Sequence, residues 1–527
     1  MSKAFNNKLA IILIVVLSFA FFGKTVNYQF VWDDERSHLT KHEALMKGDL
    51  KAIWSKPYDG MYIPVSYTIW MGIKKMSYDG FKKLLNPKLF HLSNILLHTG
   101  NALLVFLILL LLFKNNVASF LATLLFLFHP MQVESVAWVS EFRGLLAAFF
   151  SLCAIYVFLK ELERNQKTIK WSSYIISSLL FLLALLSKPS VVIIPFILLV
   201  LIFVFYKPHF KKSLLLLSIW IFMFIPIVYL TASSQGNELL SFVTPLWQRP
   251  FLVSYSMSFY LYKFLLPFNL SACYGITPEK IVAGELMYVS AVALLGLLIF
   301  LFVKRNQSVV YTASLLIVLL SLLPVTGLIA FHYQRFSNVA DRYMYIGMFG
   351  FALLLAYSWI QFNGKKMFSY GIIAFLILCS VLTAMQSKTW QNEFTMWDNA
   401  ANNYPEQWTA LYNRGVQYGK QGQLDAAISD YTAALEFKPN DKNTLVNRAN
   451  AFGMKNKFEQ AIADYSSALK LDENDASIYY NRALTYYYMK NIKACSYDLQ
   501  MSIMKGFKAD PRFVQEVKAE LKRQFGR

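Results

Sequence analysis

The sequence predicts an all-α chain in two parts: a polytopic membrane helix bundle of about eleven spans, then a C-terminal solenoid of paired-helix repeats. Three observations predict it. Apolar side chains make up 56% of the 527 residues and charged ones 16%, with mean hydropathy +0.40, where a soluble domain carries about 25% charged residues. Apolar runs recur at the roughly 20-residue length that crosses a bilayer. After residue 387 the composition turns polar, and short motifs recur 34 residues apart.

The apolar runs fall at 9–24, 91–113, 117–131, 143–160, 171–187, 190–206, 213–231, 285–303, 309–330, 344–361 and 367–386. The first follows Lys3 and Lys8 and lacks a small-x-small cleavage site before Gly23 and Lys24, so it reads as an uncleaved span rather than a signal peptide. Residues 251–268, "FLVSYSMSFYLYKFLLPF", are apolar but hold four Phe, three Tyr, Lys263 and Pro267. They read as an interfacial or re-entrant element.

Lys and Arg accumulate in cytoplasmic loops. The basic loops 113–116, 160–170, 207–212, 304–307 and 363–366 alternate with the other connections, so one topology places them all inside together with the N-terminus. The connections 25–90, 130–142, 188–189, 232–284 and 331–343, and everything after 387, then lie outside. This is the simpler source of the +20 net charge, and nucleic acid is not an expected partner. The four cysteines are scattered and suggest neither a disulfide framework nor a zinc site. Few cysteines and no retention signal point to a bacterial cell membrane rather than the endoplasmic reticulum.

In the polar part, "NRG" at 413–415 recurs as "NRA" at 447–449 and 481–483, and "DYTAAL" at 430–435 recurs as "DYSSAL" at 464–469. A 34-residue period of paired helices is the signature of tetratricopeptide repeats. Each repeat places a small residue on its first helix (Gly415, Ala449, Ala483) and an aromatic three further on (Tyr418, Phe452, Tyr486). The domains expected are a membrane domain over 1–387 and a repeat domain over 388–508, with a half repeat followed by repeats at 408–441, 442–475 and 476–508. A capping helix closes the array over 509–527. Asn413, Asn447 and Asn481 occupy one position of successive first helices. Facing the groove, they would form an amide ladder complementary to a peptide backbone, which resembles the asparagine ladder of the soluble O-linked N-acetylglucosamine transferase. Facing neighbouring helices, they would bond within the array. Both placements stand at this stage.

Nearly every unusual polar residue falls on the outer side. Chief among them is "FVWDDERSHL" at 30–39, with adjacent acids Asp33 and Asp34 followed by Glu35 and Arg36. Alone, the pair reads equally as solvated acids or a helix cap. With "FHPMQVESVAWVSEFRGLLAAFF" at 128–150, "LLSKPSVVIIPF" at 185–196, "FYLYKFLLPFNLS" at 259–271, "ADRYMYIGMFG" at 340–350 and the tryptophans and acid at 390–397, it makes an ordered set. That set, with the repeats behind it, resembles the GT-C glycosyltransferases, most closely the transmembrane and tetratricopeptide-repeat O-mannosyltransferases and their bacterial relatives. The departures are Gly144, where relatives often have Asp, Gln132 for His, and Gly347 for Pro. The missing acid at 144 puts that loop's part in catalysis in doubt.

The resemblance implies a membrane glycosyltransferase that moves a sugar, mannose by likeness, from a polyprenyl phosphate to a Ser or Thr hydroxyl of a protein outside the cytoplasm. The chemistry needs a base for the acceptor hydroxyl and cations for the departing phosphate. Consecutive Cα atoms lie about 3.8 Å apart with side chains alternating, so both acids do not address one anomeric carbon. Direct displacement with inversion follows, and the resemblance implies Asp33 as base with Asp34 supporting it. Arg342, Lys188 and Arg143, each near an outer span end, are the candidates for the phosphate, against plain snorkelling. Glu134 is the candidate for a sugar or acceptor contact, against a cap or a partner for Arg143. His129 reads as a backbone-bonding residue at a span end. His38, His42, Trp32 and Trp138 read as membrane-interface anchors. No His/Asp/Glu spacing makes a metal site, though a divalent cation between the acid pair and the phosphate stays open. The rivals are the same chemistry on a glycan or lipid acceptor, a transporter, and a non-catalytic scaffold. A transporter predicts mid-membrane ionisable residues and matching halves, and the sequence has neither. A scaffold tolerates loss of both acids.

Overall fold

The computed structural model describes residues 6–34, 39–79, 84–164, 169–234, 244–304, 309–362 and 364–526. The chain divides into two compact units, Met1–Met396 and Trp397–Arg527, with the division inside the helix Glu393–Asn403. It falls nine residues beyond the composition change at 387.

The described helices of ten or more residues in the first unit are α1 (Asn7–Phe22), α2 (Pro64–Ser77), α3 (Pro87–Phe113), α4 (Asn116–Phe128), α5 (Phe142–Arg164), α6 (Trp171–Leu185) and α7 (Ile194–Phe205). They continue with α8 (Phe210–Ser234), α9 (Arg249–Leu265), α10 (Leu286–Lys304), α11 (Val309–Leu322), α12 (Gly347–Phe362) and α13 (Lys366–Thr389). Among described residues, six single helical stretches are long and apolar enough to cross a membrane. A seventh is a bent pair, Asn116–Phe128 with Pro130–Ala137, and Trp171–Leu185, Pro189–Phe205, Val309–Val325 and Gly347–Phe362 are apolar but shorter. These account for every apolar run named above, while 251–268 forms the 17-residue α9. A two-residue antiparallel pair, Tyr78–Asp79 with Leu84–Leu85, is the strand pairing among described residues.

α3 is central, packing on α1, α4 and α5. One of its faces carries buried His91, Asn94, His98 and Asn101 at helical spacing. These tie down what packs there: Asn101 Nδ2 donates to Leu145 O at 3.1 Å and to Tyr345 Oη at 3.0 Å, and His98 Nδ1 meets Tyr345 Oη at 2.7 Å. α8, by contrast, exposes large apolar side chains such as Leu215 and Phe222, both over 70% exposed, as a lipid-facing helix does. The connections after α1, α4, α6 and α11, and those before α3, α5, α7 and α12, meet at one end of the bundle.

The second unit is an α-solenoid: Trp408–Lys420 with Leu424–Phe437, Lys442–Met454 with Phe458–Leu471, Ala476–Tyr488 with Ile492–Met504, closed by Pro511–Phe525. Gly415 sits closely against the second helix of its repeat, where a Cβ would meet Tyr431 Cε1 at 2.8 Å, and the later repeats carry nothing larger than alanine there. The arginine beside each ladder asparagine is the repeating tie. Arg414, Arg448 and Arg482 grip Asp430, Asp464 and Asp498 in bidentate pairs of 2.7–2.9 Å, each 16 residues on. The remaining Nη1 reaches 16 residues back, to Asp398 at 3.1 Å, Thr432 at 3.2 Å and Ser466 at 2.8 Å. Each guanidinium thus links its own repeat to the preceding one, and Asp398 gives the helix Glu393–Asn403 the register of a second helix, as a half repeat requires.

Arg448→Met would leave Asp464 buried without its charged partner, a loss of about 3 kcal/mol. Hydrogen exchange should then speed up on the order of 100-fold in Lys442–Met454 and Phe458–Leu471, with no change in α3 or α5.

Candidate functional site

The turn after α1 is built around a strained residue. Trp32 has φ 59°, a left-handed conformation costing a non-glycine residue on the order of 1 kcal/mol. Its ring stacks on Trp138 at 5.1 Å and 17°, and lies 6.1 Å from Tyr333. Asp34 then turns inward and is fully buried. Its Oδ2 accepts from Val31 N at 3.0 Å, and its Oδ1 accepts from Ser140 N at 2.8 Å and Ser140 Oγ at 2.6 Å. Asp34 therefore pins the 130–142 connection to the first outer segment, and Asp33 is left half-buried at the turn. Burial, then the Asp33 charge, push the Asp34 carboxyl up to about 7 against the pull of those hydrogen bonds.

Ser140 is followed by Glu141, and on Glu141 three cations converge. Lys188 Nζ donates to Oε2 at 2.7 Å; Arg342 Nε lies 3.8 Å and Arg143 Nε 3.9 Å from Oε1. Arg342 also holds Glu134, its Nη1 on Oε1 and its backbone N–H on Oε2 at 2.9 Å. Its guanidinium lies over the rings of Tyr333 at 4.2 Å, Tyr343 at 4.9 Å and Trp138 at 5.2 Å. Arg143 Nη1 contacts Met61 Sδ at 3.1 Å.

Each segment is held from behind. Asn94 Nδ2 donates to Val136 O at 3.2 Å and Trp138 O at 2.8 Å. The start of α2 lies on the Lys188 turn, with Ser66 Oγ donating to Ser187 O at 3.0 Å and Val65 N to Leu186 O at 3.3 Å. The Arg342 segment rests on α9 and the chain after it. Tyr260 Oη bonds both N and O of Ala340, Asn338 Nδ2 donates to Ser256 Oγ at 2.6 Å, and Tyr274 Oη donates to Asp341 Oδ1 at 2.6 Å. The apolar stretch 251–268 thus buttresses a site segment.

The structure brings Arg342, Lys188, Arg143 and Glu134 together beside the Asp33–Asp34 turn. Glu134 is buried and both its oxygens are taken by Arg342, not Arg143, which removes it from the position of a free sugar contact. His129 bonds backbone, its Nε2 3.0 Å from Phe264 O. Trp138 and His42 are not membrane-interface anchors: Trp138 is packed between Trp32 and Trp390, and His42 is buried and stacked on Tyr58 at 3.9 Å. His38 lies outside the described residues. In the repeats, Asn413 Nδ2 donates to Thr409 O of its own helix at 2.8 Å and Asn447 Nδ2 to Tyr412 Oη at 3.2 Å. Two of the three ladder amides are therefore engaged within the array. Among described residues no group of three or more His, Cys, Asp or Glu could hold a metal ion. Ser140, Glu141 and Asn94 are not among the candidates the sequence singles out. The polar face of α3, at spacings of three and four in an apolar span, was the available signal for Asn94.

The chain is a polytopic helical protein of membrane type with a C-terminal tetratricopeptide-repeat domain. Residues 408–441 match the tetratricopeptide repeat family and 454–489 a second model described as TPR repeat. Over 82% of its length it is 24% identical to protein O-mannosyl-transferase F38B6.6 of Caenorhabditis elegans and 23% identical to protein O-mannosyl-transferase TMTC3 of Homo sapiens. The chain spans 63% and 52% of the length of those two relatives. Among solved structures it is similar to the first TPR of Spaghetti (RPAP3) bound to HSP90 peptide SRMEEVD, at 22% identity and TM-score 0.21, covering 22% of this chain and 92% of that one.

Because the Asp34 carboxyl is raised from 3.8 to about 7, its contribution to stability is fully present below pH 3.8 and is lost as pH rises through 7. Wild type should therefore lose on the order of 4 kcal/mol relative to Asp34→Asn between pH 4 and pH 8. Thermal unfolding of the two proteins in the same lipid, followed across that range, measures this; a difference that does not vary with pH would refute the shift.

Proposed function

We propose that the chain is a GT-C-type glycosyltransferase that moves a sugar, mannose by its likeness to the named O-mannosyl-transferases, from a polyprenyl phosphate to a Ser or Thr hydroxyl of a protein. The observation that carries this reading is the convergence of Arg143, Lys188 and Arg342 on Glu141, beside the Asp33–Asp34 turn, at one end of a bundle of apolar helices. A lipid tail between helices would place its phosphate at that end. Three cations against Glu141 and Glu134 leave an excess of one positive charge, suited to a phosphate whose negative charge grows as it leaves.

In this reading Asp33 takes the proton of the acceptor hydroxyl. The freed oxygen bonds the anomeric carbon as its bond to the phosphate oxygen breaks, and the phosphate departs with that electron pair, inverting the centre. Asp34 acts through position, holding the turn at Ser140. Glu134 and Glu141 orient Arg342 and Lys188. With the basic loops in the cytoplasm, the site and the repeats face outside it, and the chain spans a bacterial cell membrane. The repeats receive the protein acceptor. The engagement of Asn413 and Asn447 within the array favours a second reading of the acceptor alone, as a glycan or lipid.

In lipid, with polyprenyl-phosphate mannose and Ser/Thr peptides, Asp33→Asn should lower transfer by about 10²- to 10⁴-fold, the usual contribution of a general base, with fold and donor binding kept. Equal turnover would remove Asp33 as base. Transfer to a glycan but to no peptide would move the acceptor to the second reading.

A further inference from the structure

Tyr67 stands in the first turns of α2, directly after Val65 and Ser66, whose contacts seat this helix on the Lys188 turn. Its ring is enclosed by His42 at 4.5 Å, Trp70 at 5.8 Å and Tyr58 at 6.1 Å. The residue is 2% exposed, and its hydroxyl has no hydrogen-bond partner among the described residues. Buried tyrosine hydroxyls are almost always bonded, so an unbonded one needs a reason. Burial pushes the phenol well above its ordinary 10, so it remains a proton donor. The charges that act on it include Arg143 and Asp33, one from the cation cluster and one from the acid turn.

Arg143 is the least engaged of the three cations. Lys188 and Arg342 each bond a carboxylate directly, whereas Arg143 has a thioether at 3.1 Å and its nearest carboxylate at 3.9 Å, with its side chain only 11% exposed. Arg143 contacts Met61, and Met61 pairs through its backbone with Tyr58, whose ring stands 6.1 Å from that of Tyr67. A guanidinium only donates, and the Tyr67 phenol has its proton unused. A group bonded to both must accept from both, and an anionic oxygen does so best.

We propose that the Tyr67 hydroxyl, together with Arg143, binds a non-bridging phosphate oxygen of the lipid-phosphate donor. This rests on the reading of the site as a polyprenyl-phosphate-dependent transferase. Tyr67 then confers affinity for the phosphate rather than for the sugar or the acceptor.

The test uses the full chain in lipid, comparing wild type, Tyr67→Phe, Arg143→Gln and the double variant. The probes are polyprenyl-phosphate mannose as donor and sugar-free polyprenyl phosphate as inhibitor. Tyr67→Phe should unfold at or above the wild-type temperature, since no bond is lost. Its donor KM and its inhibition constant for polyprenyl phosphate should both rise about tenfold, the loss expected for one hydrogen bond to a charged group. The acceptor KM should not move, and the double variant should be weaker by less than the product of the two single effects. Unchanged donor KM and inhibition constant beside an active wild type would overturn the proposal, as would an effect confined to the acceptor KM. A wild type that neither transfers nor binds polyprenyl phosphate would overturn the donor reading itself, and the role of Tyr67 with it.

Discussion

Glu141 is the group on which the site's geometry depends. Three cations, one from the first turn of α5 and two from the connections that follow α6 and α11, lie within 4 Å of one buried carboxylate. Buried like charges repel strongly at low dielectric, and among the described residues Glu141 is the carboxylate that lies within 4 Å of all three, Lys188, Arg143 and Arg342. Its neighbour Ser140 is fixed by both its backbone N–H and its hydroxyl to Asp34. The acid turn and the cation cluster are therefore one construction, bonded through two successive residues.

The fold class was legible because both of its parts are periodic: apolar runs of span length, and a 34-residue motif read three times. The cations were legible for a similar reason, since a charge at the end of an apolar run is conspicuous. Glu141 was not, because an acid two residues before Arg143 looks like a local pair, and only the folded chain brings Lys188 to it from 47 residues away. Tyr67 carries no sequence signal at all. It is one aromatic in an outer segment rich in them, and what marks it is the lack of a partner, which exists only in three dimensions. The asparagines show what spacing alone leaves open. It is compatible with a groove ladder and with bonds inside the array, and Asn413 and Asn447 each bond within the array, to different kinds of partner.

Gly144 gains a physical meaning from the same cluster. A side chain there would begin inside the Glu141 carboxylate and 3.1 Å from Lys188 Nζ. The volume in front of Gly144 is thus already filled by an acid from one turn earlier. The absence of a carboxylate at 144 does not leave the loop without one, and the doubt raised by that departure narrows to which residue supplies the charge.

The two units use arginine in opposite ways, and the contrast separates structure from function within one chain. Arg414, Arg448 and Arg482 each hold an aspartate through two near-parallel bonds and turn the third nitrogen to the preceding repeat, so little of their donor capacity is left. Arg342 is bound to Glu134 and enclosed by three rings, and it too is largely committed to the protein. Arg143 departs from this pattern: its charge is almost buried, and its nearest carboxylate among the described residues is 3.9 Å away, beyond hydrogen-bond distance. Desolvating a guanidinium without a close partner is unfavourable. A folded chain that does so at the mouth of its apolar bundle, next to an acid pair, has left a place whose charge balance is completed by something that binds there.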